Sequence, residues 1–218
     1  MAEAHQIIDL RKLIAERFPS SLRSQKAIFQ TGIDSLDQLS GGLPRSALSE
    51  VTNQQLSAGS ASLIHQLLQN AAHQNQFTAL IDGADSFDPQ SLPNDCLQRL
   101  LWVRCSQTLT AMKSADLLLR DGNFPLVILD LVLNPAAELG KIPPTSWYRL
   151  QRLVEVTSTV CLVLTRKSIV SSAQLKLSLE NGWTLQDLAG ENPGSQVRFQ
   201  LRRSHVHSEI RHLQSAVS

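Results

Sequence analysis

The stretch PLVILDLVL, Pro125 to Leu133, is an apolar run interrupted by one acid, Asp130. A strand with one wet face alternates apolar and polar residues. A run without polar positions before its terminal acid belongs to a strand covered on both faces, the usual condition inside a parallel sheet. Shorter runs recur along the chain: ALSEV (Ala47 to Val51), FTALID (Phe77 to Asp82), LLWV (Leu100 to Val103) and STVCLVLT (Ser158 to Thr165). Helical periodicity fills the intervals, in SLIHQLLQNAAHQ, TLTAMKSADLLLRDG and SWYRLQRLVEVT. Strands alternating with helices predict an α/β fold, a mainly parallel twisted sheet with helices on both faces.

The C-terminal part changes character. LKLSLENGWTLQD and SQVRFQLRRSHV alternate polar and apolar residues around Asn-Gly and Pro-Gly turns, which predicts antiparallel edge strands at the C-terminal end of the sheet. At the other end, His5 to Phe18 place Ile7, Leu10 and Ile14 at helical spacing, widened by Ile8 and Leu13, and Pro19 ends the pattern. The expected organisation is an N-terminal amphipathic helix over 1–18, a polar linker over 19–30 and a core domain over 31–218. A lone helix cannot bury its own stripe, so residues 5–18 dock on the core or on a second copy.

Composition excludes several classes. Over 218 residues, 42% hydrophobic and 18% charged is an ordinary globular balance, and 20 Lys+Arg against 19 Asp+Glu leaves a net charge of +1. Affinity for a polyanion must therefore come from local patches. Cys96, Cys105 and Cys161 are isolated thiols without CxxC spacing, which argues against a disulfide framework and against zinc. His65 and His73 are too far apart on one helix to share a metal, so no metal site is expected. No run approaches the ~20 apolar residues of a membrane span, and the N-terminus lacks the apolar block of a secretion signal. A cytoplasmic protein without membrane contact is expected. Trp102, Trp147 and Trp183 are spread through the chain, which favours packing over a base-stacking platform.

Several strings, in order, resemble the RecA recombinase family. TGIDSLDQLSGGLPRSALSEV looks like the entry to that family's first core strand: a Thr-Gly-x-x-x-Leu-Asp helix, a Gly-Gly-Leu-Pro turn and a strand carrying Glu50. LIDGADSFDP is similar to its second-strand motif and PLVILD to its Walker B strand. The resemblance covers about Thr31 to His207 and implies a RecA-like core. Within the superfamily, LLWVRC and the altered motifs most resemble the ImuA family, the RecA-like partner in bacterial damage-induced mutagenesis. That family works with an inactive polymerase-like protein, ImuB, and an error-prone polymerase. SulA-type division inhibitors are the competing resemblance.

The phosphate loop is where the chain departs from the pattern of the family it resembles. A working loop, G-x-x-x-x-G-K-[ST], needs converging backbone N–H groups, a lysine on the β/γ-phosphates and a hydroxyl on magnesium. In NQQLSAGSAS, Asn53 stands where the first glycine belongs; with Gly59 as the second, Ser60 replaces the lysine and Ala61 the hydroxyl. The resemblance puts a catalytic glutamate at Ala84, with Asp85 its neighbour, and a nucleotide-sensing amide at Arg166. Asp130 alone keeps the family's residue type. Gly59, Ser60, Ala61, Ala84 and Asp130 therefore read as vestiges of a nucleotide site, and the expectations are no ATP or magnesium cofactor, no enzyme, and a pseudo-ATPase adaptor in the DNA-damage response. The resemblance implies an ImuB-type partner, RecA itself, and single-stranded DNA held by the loops NPAAELGKIPPTS and RKSIVSSAQ. Candidate DNA contacts are Lys141, Arg166, Lys167, Arg202 and Arg203; alternation sends Arg202 and Arg203 to opposite faces. The alternatives are a SulA-type inhibitor of a polymerising cell-division partner and, last, an active recombinase.

Overall fold

The computed structural model describes residues 28–55, 59–180 and 197–204. The N-terminal helix expected over 1–18, most of its linker, Trp183 and the end of the chain lie outside the described residues. Among the described residues one sheet has seven strands: β3 (Ala47–Thr52), β4 (Thr78–Asp82), β5 (Leu100–Arg104), β6 (Leu126–Asp130), β7 (Val160–Thr165), β8 (Leu175–Leu179) and β9 (Phe199–Ser204). Their order across the sheet is β5-β4-β6-β7-β3-β8-β9. Every neighbouring pair from β5 to β8 is parallel, and β9 closes the edge antiparallel to β8.

Both faces of this sheet are buried, as the unbroken apolar runs require. On one face α2 (Ser60–His73) inserts Leu63, Ile64, Leu67, Leu68 and Ala71 against Val51, Leu80, Ile128 and Leu162. On the other, α4 (Thr108–Asp121) and α6 (Pro144–Glu155) set Ala111, Ala115, Leu119, Trp147, Leu150 and Val154 against Leu48, Ala79, Val127, Cys161 and Val163. Each fully buried Leu or Val contributes roughly 1.5–3 kcal/mol. The short helices α3 (Asn94–Leu97) and α5 (Ala136–Leu139) join these layers. All three cysteines are buried and free, and burial pushes the Cys161 thiol up to about 12.

The entry segment shows why its sequence signature has that spacing. Asp37, in α1 (Asp34–Ser40), accepts hydrogen bonds from Thr31 N, Thr31 Oγ1 and Gly32 N, so the Thr-Gly and the Asp lock one turn. The helix stops at Gly41, in the left-handed region at φ 76°, and the chain reverses through Gly42 at φ 113°. That reversal pairs β1 (Ile28–Phe29) with β2 (Leu43–Pro44) in a small antiparallel ribbon.

Parallel strands end at a common edge, the usual location of sites in α/β proteins. Here that edge gathers Asn53, Asp82, Arg104, Asp130 and Thr165, at or just past the ends of β3, β4, β5, β6 and β7.

The two turn glycines give the first test. A side chain at Gly41 would meet nothing within 4 Å, whereas at Gly42 its Cβ would lie 2.5 Å from the Phe29 carbonyl oxygen. Gly41→Ala is expected to cost about 1 kcal/mol from backbone strain alone. Gly42→Ala is expected to cost roughly 2–4 kcal/mol because it also displaces β1. Urea denaturation of both variants checks the ranking.

Candidate functional site

The connection that stands for the phosphate loop keeps its two ends. Asn53 follows β3, is buried, and donates its backbone N–H to the Thr165 carbonyl at 2.8 Å. Its side-chain Nδ2 donates to Ser60 Oγ at 3.3 Å, so the two residues expected at the first-glycine and lysine positions bond to each other. Gly59 precedes α2 at φ 92°, a left-handed conformation that glycine adopts without strain. Ala61 is exposed on the first turn of the helix, and residues 56–58 lie outside the described set.

Two acids stand side by side on the face that α2 covers, because Asp82 and Asp130 are register partners on β4 and β6. Asp82 is buried, and its carboxylate organises the loop that follows: Ser86 N donates at 3.1 Å, Phe87 N at 2.8 Å and Trp102 Nε1 at 3.3 Å. Ala84, in the glutamate's place, is half-buried and its N–H lies 3.4 Å from Asp82 Oδ1. Asp85 turns away at φ 52° into a bidentate pair with Arg104, at 2.6 and 2.9 Å. That hydrogen-bonded guanidinium holds the Asp85 carboxyl below its usual range and sits 4.9 Å from the centre of the Trp102 ring. Asp85 is thus committed to the β5 edge.

Asp130 accepts one hydrogen bond, from Val132 N at 3.0 Å. Burial pushes its pKa up to about 6; the Val132 bond opposes the rise and the Asp82 charge adds to it. Behind it the loops are tightly joined. Asn134 Nδ2 donates to the Gly83 carbonyl and to Thr108 Oγ1, both at 2.9 Å, while Glu138 accepts from Thr108 N and Oγ1 at the start of α4. These two hydrogen bonds from Thr108 hold the Glu138 carboxyl below its ordinary value. Gly83 is required here, since a Cβ would come within 2.7 Å of the Asp130 carbonyl oxygen.

On the opposite face lies a feature that the sequence reading passed over. Glu50, in the middle of β3, is fully buried, and its carboxylate gathers the loop after β7. Ile169 N donates to it at 2.7 Å, Val170 N at 3.0 Å and Ser168 Oγ at 2.8 Å. Lys176 Nζ, from β8, completes an ion pair at 2.9 Å and also donates to Ser168 Oγ at 2.8 Å. Arg166 and Lys167, exposed, immediately precede this clamp. An acid inside an apolar strand, with a lysine in the alternating LKLSL more than a hundred residues later, was the available signal.

The tail arginines depart from the alternation. Lys176 pairs with Arg203 and Leu177 with Leu201, so Arg202 is the extra residue of a β-bulge. Lys176, Ser178, Gln200 and Arg203 share one face as register partners, and Arg202 Nε donates to Ser178 Oγ at 2.9 Å on that same face. The expectation of opposite faces is therefore corrected: the bulge resets the parity and both arginines join Lys176. Lys141, on the turn after α5 where its N–H donates to the Glu138 carbonyl, is exposed. Among the described residues no three metal-ligating side chains cluster, and no helix is long and apolar enough to cross a membrane.

The fold is similar to the crystal structure of the RadB recombinase, with a TM-score of 0.56 and 18% identity over 70% of this chain and 83% of that one. In sequence the chain is 32% identical over 130 residues to Protein RecA of Clavibacter michiganensis subsp. michiganensis (strain NCPPB 382). The chain has a RecA-like fold. The match takes in 56% of this chain and 35% of that RecA, so it spans about a third of the curated relative's length. No family model matches.

One expectation is overturned by these matches. The altered loop led to the reading that the chain is not an enzyme, yet the relative in sequence is a RecA protein and the neighbour in fold is a recombinase. The residues at Ser60, Ala61 and Ala84 therefore do not by themselves carry the conclusion that this RecA-like fold has no activity.

Asp130 provides a test of the site's electrostatics. Its folded pKa lies above the unfolded value of 3.8, so its favourable contribution is full below that value and is lost as pH rises through about 6. Asp130→Asn is expected to be more stable than the parent by about 3 kcal/mol at pH 8, with the difference vanishing near about pH 4. Urea denaturation between those limits measures it.

Proposed function

We propose that this RecA-like chain is an adaptor of the DNA-damage response that supports error-prone translesion synthesis. It holds single-stranded DNA weakly through Arg166, Lys167, Arg202 and Arg203, while protein contacts recruit a polymerase-like partner of the ImuB type. The observation that carries the DNA part is the cationic face at the β8–β9 end. Glu50 and Lys176 fix the loop bearing Arg166 and Lys167, and the bulge at Arg202 turns both tail arginines to the side from which Lys176 reaches that loop. Exposed guanidiniums and ammoniums of this kind grip phosphates without reading sequence, which is what a lesion-bypass factor needs. Support for the repair setting comes from the RecA match, and support for translesion synthesis from the resemblance of LLWVRC and the altered motifs to the ImuA family.

Partners follow from the same reading. An ImuB-type protein and RecA are the proposed protein partners, and residues 5–18 the proposed contact between copies, in a cytoplasmic setting. Lys141 is a lesser contributor, because it follows β6 while the other cations cluster at the β7–β8–β9 end.

Fluorescence anisotropy with a labelled oligo-dT across a salt series tests the reading. Engagement of Arg166, Lys167, Arg202 and Arg203 is expected to give a slope of log affinity against log salt of about −3. In Arg166→Glu/Lys167→Glu the slope is expected to fall by about half, with binding weakened uniformly across sequences. Absence of binding even at low salt would overturn the DNA role and favour the SulA-type reading, a chain that acts on a polymerising protein.

A further inference from the structure

The outer face of the layer formed by α4 and α6 lies away from the strand-edge site and carries its own chemistry. Arg120, Arg149 and Arg152 line a groove of about 370 Å³ together with Thr145, Tyr148 and Leu153. No carboxylate is among these lining residues. The nearby Asp116 is shared: Arg149 donates to it through Nε at 2.6 Å and Nη2 at 3.1 Å, and Arg120 through Nε at 2.9 Å. One negative charge therefore orients two guanidiniums, and the groove keeps a positive excess. Orienting them in advance lowers the ordering cost of binding.

The apolar side chains around the groove are the second observation. Tyr148, in the groove lining beside the half-buried Leu153, is 54% exposed; outside the lining, Leu117 on α4 and Val156 at the C-terminal end of α6 are 67% and 84% exposed. Large apolar residues left uncovered beside arginines mark an interaction surface, and Tyr and Arg are the residue types that dominate binding energy at such surfaces. Phosphodiesters would satisfy the arginines and leave Leu153 and the Tyr148 ring against water. A peptide bearing both carboxylates and apolar anchors satisfies both halves.

We propose that the α4–α6 groove is a docking site for an acidic, apolar-anchored segment of a partner protein. Its carboxylates pair with Arg152 and with the guanidiniums oriented by Asp116, and its apolar side chains cover Leu153 and the Tyr148 ring. The proposal does not rest on the DNA reading, because the groove and the Glu50 clamp share no residue.

The test is selection of a random peptide display library on the full chain, followed by anisotropy of the best peptide synthesised with a fluorophore. Enriched peptides are expected to combine Asp or Glu with Leu, Phe or Trp. Their affinity is expected to fall by about 10-fold or more in Arg152→Glu and in Tyr148→Ala. Lys167→Glu, the same charge change at the strand-edge site, is expected to leave affinity unchanged, which separates failure of this proposal from failure of the DNA reading. Both groove substitutions are at exposed positions and melting curves verify their folding. Enrichment of peptides without acids, affinity indifferent to Arg152→Glu and Tyr148→Ala, or an oligonucleotide bound in an Arg152-dependent way would each overturn it.

Discussion

A carboxylate with no exposure to water sits in the middle of β3, and much of the cationic end of the molecule depends on how it is neutralised. Leaving Glu50 charged and unpaired in that position would cost several kcal/mol. The structure compensates with the ammonium of Lys176, the N–H groups of Ile169 and Val170, and the hydroxyl of Ser168. These donors come from two directions, β8 and the loop after β7, so their convergence fixes both against the central strand. The loop cannot relax outward without stripping donors from a buried charge. Arg166 and Lys167 immediately precede this fixed loop, and the bulge turns Arg202 and Arg203 to the face from which Lys176 reaches it.

A similar device recurs at the ends of the neighbouring strands. Asp82 accepts from Ser86, Phe87 and the Trp102 indole, and shapes the segment between β4 and α3. Glu138 holds the start of α4, and Asn134 ties the loop after β6 to Gly83. In each case a polar side chain takes up backbone N–H or C=O groups that the strand ends leave unpaired, as burial demands. The outcome is an edge whose loops are held by side chains from adjacent elements. Asp130 differs, with a single N–H donor and a raised pKa, and it is the acid on this edge whose ionisation is costly.

The sheet was legible because runs such as PLVILD and TVCLVLT have no polar alternation, and their burial on both faces follows from that alone. Asp37 explains why the Thr-Gly and Leu-Asp of the entry segment occur at a fixed spacing, a relation the sequence suggested without its mechanism. The face reached by Arg203 was not legible, since a bulge depends on which residues β8 offers for pairing, and period-two reasoning has no means of locating it. Glu50 was visible as a family letter, but its partners lie more than a hundred residues away along the chain. The altered phosphate loop was an expectation drawn from letters alone, and residues 56–58 lie outside the described residues. The step from those letters to the absence of an enzyme failed against a sequence match to a RecA protein.

The central claim is that the buried charge of Glu50, held by Lys176, immobilises the loop that carries Arg166 and Lys167. Native-state hydrogen exchange of the Ile169 and Val170 amides in the parent and in Lys176→Met addresses it directly, with Glu50→Gln as a milder second variant. The account expects these two amides to exchange on the order of 100-fold faster in Lys176→Met, while those of β6 and β7 stay close to parental protection. Unchanged protection of Ile169 and Val170 in both variants would contradict it.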